Sequence, residues 1–263
     1  MGRTRATWAK GAVALAAVLL AAPAGADVVF AAPDDPVFLA LYPRMDRATG
    51  LSPVAEPAVA VGRAAPRTAS REECRYGFRI AGPVTKEWSQ GGADYLLAFF
   101  FVTSEQAPGV NAGCYEPQPW VCALERGAPV DCARVEQEIV FPDEPAIDTA
   151  PFRLSETERA FGLRLRSTIT LKTSAETQAA LVLFRLHERR LQQVLALQSG
   201  TEEDTYGSGE CVRTLALRVE KTKTAGMFDW TTRTSSKTGK LPCTLETGTY
   251  SWDGARYVKR GKE

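Results

Sequence analysis

The chain has 263 residues, 44% apolar and 9% aromatic, with 32 basic side chains, 31 acidic ones and one histidine. That length and content suit one domain or a small pair with a real core. The near-neutral balance excludes the basic footprint that nucleic acid or an anionic membrane surface selects. With one histidine and no Cys-x-x-Cys pair, no metal centre is expected, and no cofactor motif stands out.

The first element is a targeting signal. Arg3, Arg5 and Lys10 precede an uncharged apolar run from Gly11 to Ala22, and Pro23-Ala24-Gly25-Ala26 places small residues before Asp27. This three-part pattern predicts a secretory signal peptide over residues 1–26, cleaved after Ala26. The run is shorter than the ~20 residues that span a bilayer, so no transmembrane segment is expected in the mature chain. Removing three basic residues and no acid leaves 29 basic against 31 acidic residues, a net charge of −2.

Residues 27–42 read as a short ordered segment. Asp35 followed by Pro36 has the form of a helix N-cap and first turn, although Val37 to Tyr42 also suits an apolar strand. Residues 43–73 carry Pro43, Pro53, Pro57 and Pro66 among Ala, Gly, Val and Arg, and read as a flexible linker. The remaining residues, 74–263, are expected to form the folded domain.

Within that domain the dominant period is two. Phe161 to Lys172 alternates odd positions, apolar except Ser167, with Gly162, Arg164, Arg166, Thr168, Thr170 and Lys172, a strand with one wet face. Asp94 to Val102 is continuously apolar and suits a strand covered on both faces. Gly209 to Thr222 and Met227 to Thr234 read as further strands. Residues 179–198 admit two readings. Their residue types favour helix. A hairpin turning at Glu188-Arg189 instead aligns Val182, Phe184 and Leu186 with Leu195, Gln193 and Leu191, an almost wholly apolar face, and is preferred. At the C-terminus, Asp253-Gly254 predicts a two-residue turn placing Trp252 opposite Ala255 and Tyr250 opposite Tyr257.

Six cysteines follow the signal, and an even number in an exported chain predicts disulfides. Cys122 to Cys132 reads as a hairpin with Arg126-Gly127-Ala128 as a three-residue loop, so that Glu125 faces Pro129 and Cys122 faces Cys132. Cys211 with Cys243, and Cys74 with Cys114, complete one scheme.

The Leu183-Phe184-Arg185-Leu186 hairpin, Gly209-Glu210-Cys211 and Tyr250-Ser251-Trp252-Asp253-Gly254-Ala255-Arg256-Tyr257-Val258 together resemble a group of exported bacterial proteins. Those end in a Tyr-x-Trp-(Asp/Asn)-Gly-x-(Lys/Arg)-Tyr hairpin and have no named activity. The resemblance covers residues 161–259 and implies placement in the cell envelope.

Candidate chemistry is sparse. His187 would have to serve any Ser/His or Cys/His arrangement, and its position at a hairpin tip reads as a solvated histidine. There is no Gly-x-Ser-x-Gly, phosphate loop or His-Glu-x-x-His. Glu136, Glu138 and Asp229 read as surface acids. Glu202-Glu203-Asp204, with Glu210, lacks the spacing of a calcium loop and reads as a solvated turn. Tyr250, Trp252 and Tyr257, with Trp230, either pack a core or offer ring faces to a sugar or a protein partner. Lys221 and Lys223 read as guards of an edge strand.

The sequence therefore predicts a mainly β, disulfide-braced domain of eight to eleven antiparallel strands, as a meander or a sandwich. Its expected role is that of a non-enzymatic binding protein, periplasmic or secreted, that recognises an envelope protein or a glycan. A hydrolase using acidic residues and a structural or accessory envelope protein are the alternatives.

Overall fold

The structure, a computed structural model, describes residues 30–60, 77–104, 118–136, 145–170, 174–205, 209–239 and 245–261. The signal segment, Cys74, Cys114, Glu138 and Cys243 lie outside these. The described residues form two antiparallel sheets, each a meander. The smaller holds β1 (Phe78–Gln90), β2 (Ala93–Ser104), β3 (Gln118–Glu125) and β4 (Ala128–Arg134) in chain order. The larger holds β5 (Ala146–Arg153), β6 (Arg159–Thr170), β7 (Ser174–His187), β8 (Arg190–Thr205), β9 (Gly209–Thr224), β10 (Met227–Gly239), β11 (Gly248–Trp252) and β12 (Tyr257–Lys259). The described residues thus hold twelve strands, one more than the upper end of the sequence estimate.

The packing is a sandwich and a curled meander at once. Leu97, Phe99 and Phe101 of β2 meet Phe161, Leu163 and Leu165 of β6 and Val182, Phe184 and Leu186 of β7, forming the core between the sheets. The alternate residues of β2, namely Ala98, Phe100 and Val102, line a second core on the far side of the small sheet. This explains the unbroken apolar run of β2. The large sheet also curls, so that Trp230, Tyr250, Trp252 and Tyr257 of its last strands cover Leu181, Leu183 and Leu197 on the outer face of β7 and β8. The turn before β6 meets the start of β10 through Phe228 N–H, which donates to the Leu154 carbonyl at 2.7 Å.

The wet face of β6 begins only at Arg164. Gly162 faces the curled layer, where an added Cβ would lie 2.9 Å from Leu181 Cδ1 and 3.1 Å from Phe152 Cε2. A glycine there lets the layers close.

Residues 43–60, expected to be part of a linker, are packed. The helix α1 (Pro36–Leu41) forms with Asp35 as N-cap, its carboxylate accepting from Val37 N–H at 2.9 Å. Phe38, Leu41, Tyr42, Met45, Ala55 and Ala60 cover the far face of the small sheet, with the Phe38 and Phe100 rings edge-on at 5.3 Å. Ser52 exchanges both backbone hydrogen bonds with Phe78, at 2.8 Å each. The anchors are few and aperiodic, and their partners lie on strands far along the chain. Composition alone therefore reads them as a spacer. Residues 61–73 lie outside the described residues.

Three hairpins test the register. Residues 174–205 form the β7–β8 hairpin, with Leu186 opposite Leu191 and Phe184 opposite Gln193 as expected. A bulge at Val194 then sets Leu195 opposite Leu183 instead of Val182. In β3–β4, Cys122 opposes Cys132 and is bonded to it, with Cα atoms 4.1 Å apart. The loop, however, is the two-residue turn Arg126-Gly127, both at positive φ; Glu125 faces Ala128, and a bulge near Val130 restores the pairing. The β11–β12 loop has four residues, Asp253 to Arg256, so Trp252 opposes Tyr257 and Tyr250 opposes Lys259. Asp253 accepts from Ala255 and Arg256 N–H at 2.8 Å each, which holds its carboxyl below the usual range and favours the longer loop over a tight Asp-Gly turn. The two-residue shift keeps all three aromatics on one face.

Candidate functional site

In an antiparallel meander, alternate turns fall at one end. Here the turns of β1–β2, β3–β4, β5–β6, β7–β8 and β9–β10 meet there through side chains. Arg189 donates to Glu125 at 2.8 Å, Arg159 to the Ser89 carbonyl at 2.7 Å, and Lys223 to Glu156 at 2.8 Å.

Beneath this end lies a charged cluster. Glu158, in the turn before β6, is largely buried. Its Oε2 is 3.6 Å from an Arg185 nitrogen, and its Oε1 is 3.3 Å from His187 Nδ1 without the alignment of a hydrogen bond. Arg185 is 7% exposed, donates from Nε to Gln192 Oε1 at 2.9 Å, and lies 4.6 Å above the Trp252 ring. That stacking supplies a cation–π contact to a guanidinium stripped of water. Arg185 continues the stripe of Leu181 and Leu183 along β7, so a charge takes the place of an apolar residue at the edge of the curled core.

Below it, Trp252 and Tyr257 pack edge-on at 5.3 Å, and Trp230 and Tyr257 at 6.2 Å. Tyr250, Trp252, Tyr257 and Trp230 are between 1% and 8% exposed. Their ring faces are covered by protein, so these four residues build the core and none offers a free face for a sugar. Burial pushes the Tyr257 phenol up to about 12, against the neighbouring Trp230 N–H and with Asp229 and Glu158 adding to the rise. Asp229 is no surface acid. It is 1% exposed and accepts from Thr224 at 2.8 Å and Arg260 at 3.1 Å. Burial opposes its charge, yet hydrogen bonds from Thr222 and Thr224, with the Arg260 charge, hold its carboxyl below the usual range.

His187, the last residue of β7, has a 48% exposed side chain, and its Nε2 is 4.0 Å from Glu188. Among the described residues no Ser, Thr or Cys is hydrogen-bonded to it. The arrangement sets an imidazole beside a largely buried carboxylate. Comparison with protein-family models, curated proteins and solved structures returned no match.

The other candidates fall elsewhere. Glu136 is exposed, and its backbone amide donates to Gln193 Oε1 at 2.8 Å. Glu202 to Asp204 continue β8 in a ladder with β9, contrary to the expected turn, and Glu202 pairs with Arg166 at 3.2 Å. Cys211 is disulfide-bonded to a partner outside the described residues. No group of three or more metal-ligating side chains occurs among the described residues. Sequence reasoning passed over Glu158, Arg185 and Gln192. The readable signal was the charge at position 185 on an apolar alternation.

Proposed function

We propose that this chain is an exported, non-enzymatic binding protein of the bacterial envelope, which recognises a protein or glycan partner at the hairpin end around Glu158, Arg185 and His187. The observation that carries the reading is the desolvated ionic cluster itself. Buried ion pairs return little net stability, because desolvation offsets their attraction. A cluster of this kind with one half-exposed member, framed by short turns on a disulfide-braced sandwich, suits recognition better than support. The signal pattern of residues 1–26 and the Cys122–Cys132 bridge favour an oxidising compartment, periplasmic or extracellular.

The test is affinity capture by oxidised mature chain from an envelope extract, beside the Glu158→Gln/His187→Ala double variant. One partner recovered by the parent and lost by the variant supports the reading. Recovery that is indifferent to the variant contradicts the site. The Glu158–His187 contact also keeps acid–base hydrolysis as a second reading, and substrate turnover abolished by His187→Ala would replace the first reading with it.

A further inference from the structure

The strands β8 and β9 each run for 16 residues, yet the ladder between them covers only Gly200–Thr205 opposite Gly209–Thr214. Past Thr214 the two strands part. The freed part of β8 faces the small sheet, with Leu191 N–H donating to Asp131 Oδ2 at 2.7 Å and the Gln193 side-chain amide accepting from the Glu136 N–H and donating to the Glu136 carbonyl. The freed edge of β9 receives no such cover. From Leu215 to Thr224 it has β10 on one side and, among the described residues, no strand on the other. The ladder with β10 is regular from Leu215 to Val219, which at ~3.3 Å per residue is roughly 16 Å of edge with alternate N–H and C=O groups turned outward; it skips Glu220 to Thr222 and resumes at Lys223.

We propose that the β9 edge from Leu215 to Val219, flanked by the irregular stretch that carries Lys221, is a strand-acceptor site, and that its occupant is an extended segment of a partner protein that alternates apolar and acidic residues. The alternation follows from the two faces the added strand would continue. Leu217 and Val219 are half-buried against the Trp230 core, while Ala216 and Arg218 are exposed on the opposite face. The acidic character follows from charge. Arg218, Lys221 and Arg233 are exposed and have no ion-pair partner among the described residues. Glu220, the neighbouring acid, is engaged by the Thr231 hydroxyl, and Lys223 by Glu156. Cationic side chains on an edge repel another copy of the same edge, so they select against self-pairing while admitting an acidic strand. Strand addition draws affinity from the backbone and specificity from alternate side chains. The inference rests on the binding reading of the chain, and it concerns a different surface from the His187 end.

The experiment has two arms on oxidised mature chain. In amide hydrogen exchange followed by NMR, alternate amides within 215–219 should exchange faster than those of 200–205; uniform protection would mean that the edge is covered and would overturn the proposal. The second arm titrates a synthetic ten-residue peptide of alternating Val and Glu, its Val/Lys counterpart, and a copy N-methylated at alternate residues. The acidic peptide should shift resonances of 215–224, the N-methylated copy should fail, and the Arg218→Glu/Lys221→Glu variant, whose changes lie on the surface, should bind at least about ten-fold more weakly. Equal binding of the lysine peptide, a silent edge at millimolar acidic peptide, or pairing of the chain with itself would each overturn it. An envelope partner captured equally by parent and Arg218→Glu/Lys221→Glu would leave the binding reading in place and remove this site alone.

Discussion

Replacing Tyr257 by Phe should separate the alkaline stability of the protein from its neutral stability. The Tyr257 hydroxyl is buried beside the Trp230 N–H without an aligned hydrogen bond, so its removal forfeits little. At neutral pH the variant should lie within about 0.5 kcal/mol of the parent or slightly above it. At high pH the two should diverge. The phenol titrates near 10 in the unfolded chain and is held at about 12 in the fold. Below pH 10 it is protonated in both states and its contribution is intact. As pH rises from 10 to 12, the unfolded chain ionises first and is favoured. Two pK units correspond to ~2.7 kcal/mol, of which about half, ~1.4 kcal/mol, is lost by pH 11. Tyr257→Phe removes that loss, while the other titrating groups cancel in the comparison. Urea unfolding of both chains at pH 8, 10 and 11, with the disulfides intact, measures the difference. Parallel stability curves for parent and variant across that range would refute the burial argument for this end of the sheet.

Other perturbations bear on separate parts of the fold. Gly162→Ala should cost about 1–3 kcal/mol in urea unfolding through overpacking against Leu181 and Phe152, whereas Arg164→Ala on the wet face should cost under about 1 kcal/mol. Removing the bridge as Cys122→Ala/Cys132→Ala should lower stability by roughly 2–3 kcal/mol, read as a fall in the thermal midpoint. Glu188 sits at φ 50° in the β7–β8 turn, so Glu188→Asn should stabilise by about 0.5–1 kcal/mol, and a loss on chemical unfolding would argue against that turn. Because the Asp229 carboxyl is held below its usual range, its contribution is present above the usual carboxylate pKa and disappears as the pH falls through its folded value. Asp229→Asn should therefore flatten the acid limb of the stability curve relative to the parent.

The parts of the fold legible in the sequence are those set by local alternation. Residues 161–170 and 179–198 show their strands in the order of their side chains, because the period of two survives where one face is buried, whereas the unbroken apolar run of 94–102 marks a strand buried on both faces. Hairpin pairing was legible in part: Leu186 opposite Leu191 follows from counting back from the turn, Cys122 meets Cys132 because a bulge near Val130 offsets a turn one residue shorter than expected, and the β11–β12 pairing is shifted by two residues. Bulges at Val130 and Val194 are decided by packing between layers and leave no local mark. The same holds for Glu188 and Arg189, which adopt positive φ because the flanking apolar pairs and the Arg189–Glu125 contact favour the turn over any lengthening of the loop. Residues 43–60 were illegible because their anchors find partners on β1 to β4, far along the chain. The candidate site was hidden for a related reason: Glu158, Arg185, His187 and Trp252 come from three separate stretches of chain, with the β6–β7 pairing setting Glu158 beside Arg185 and His187 and the curl of the large sheet bringing Trp252 to them.

The most direct test of the binding account is the thermal transition of purified, oxidised mature chain titrated with the partner recovered by affinity capture. A ligand that binds only the folded state raises stability by ~2.7 kcal/mol at a hundred times its dissociation constant. The account predicts such a rise for the parent and its loss in Glu158→Gln/His187→Ala. A transition that does not move with any captured fraction, or moves equally in the variant, would contradict recognition at the hairpin end.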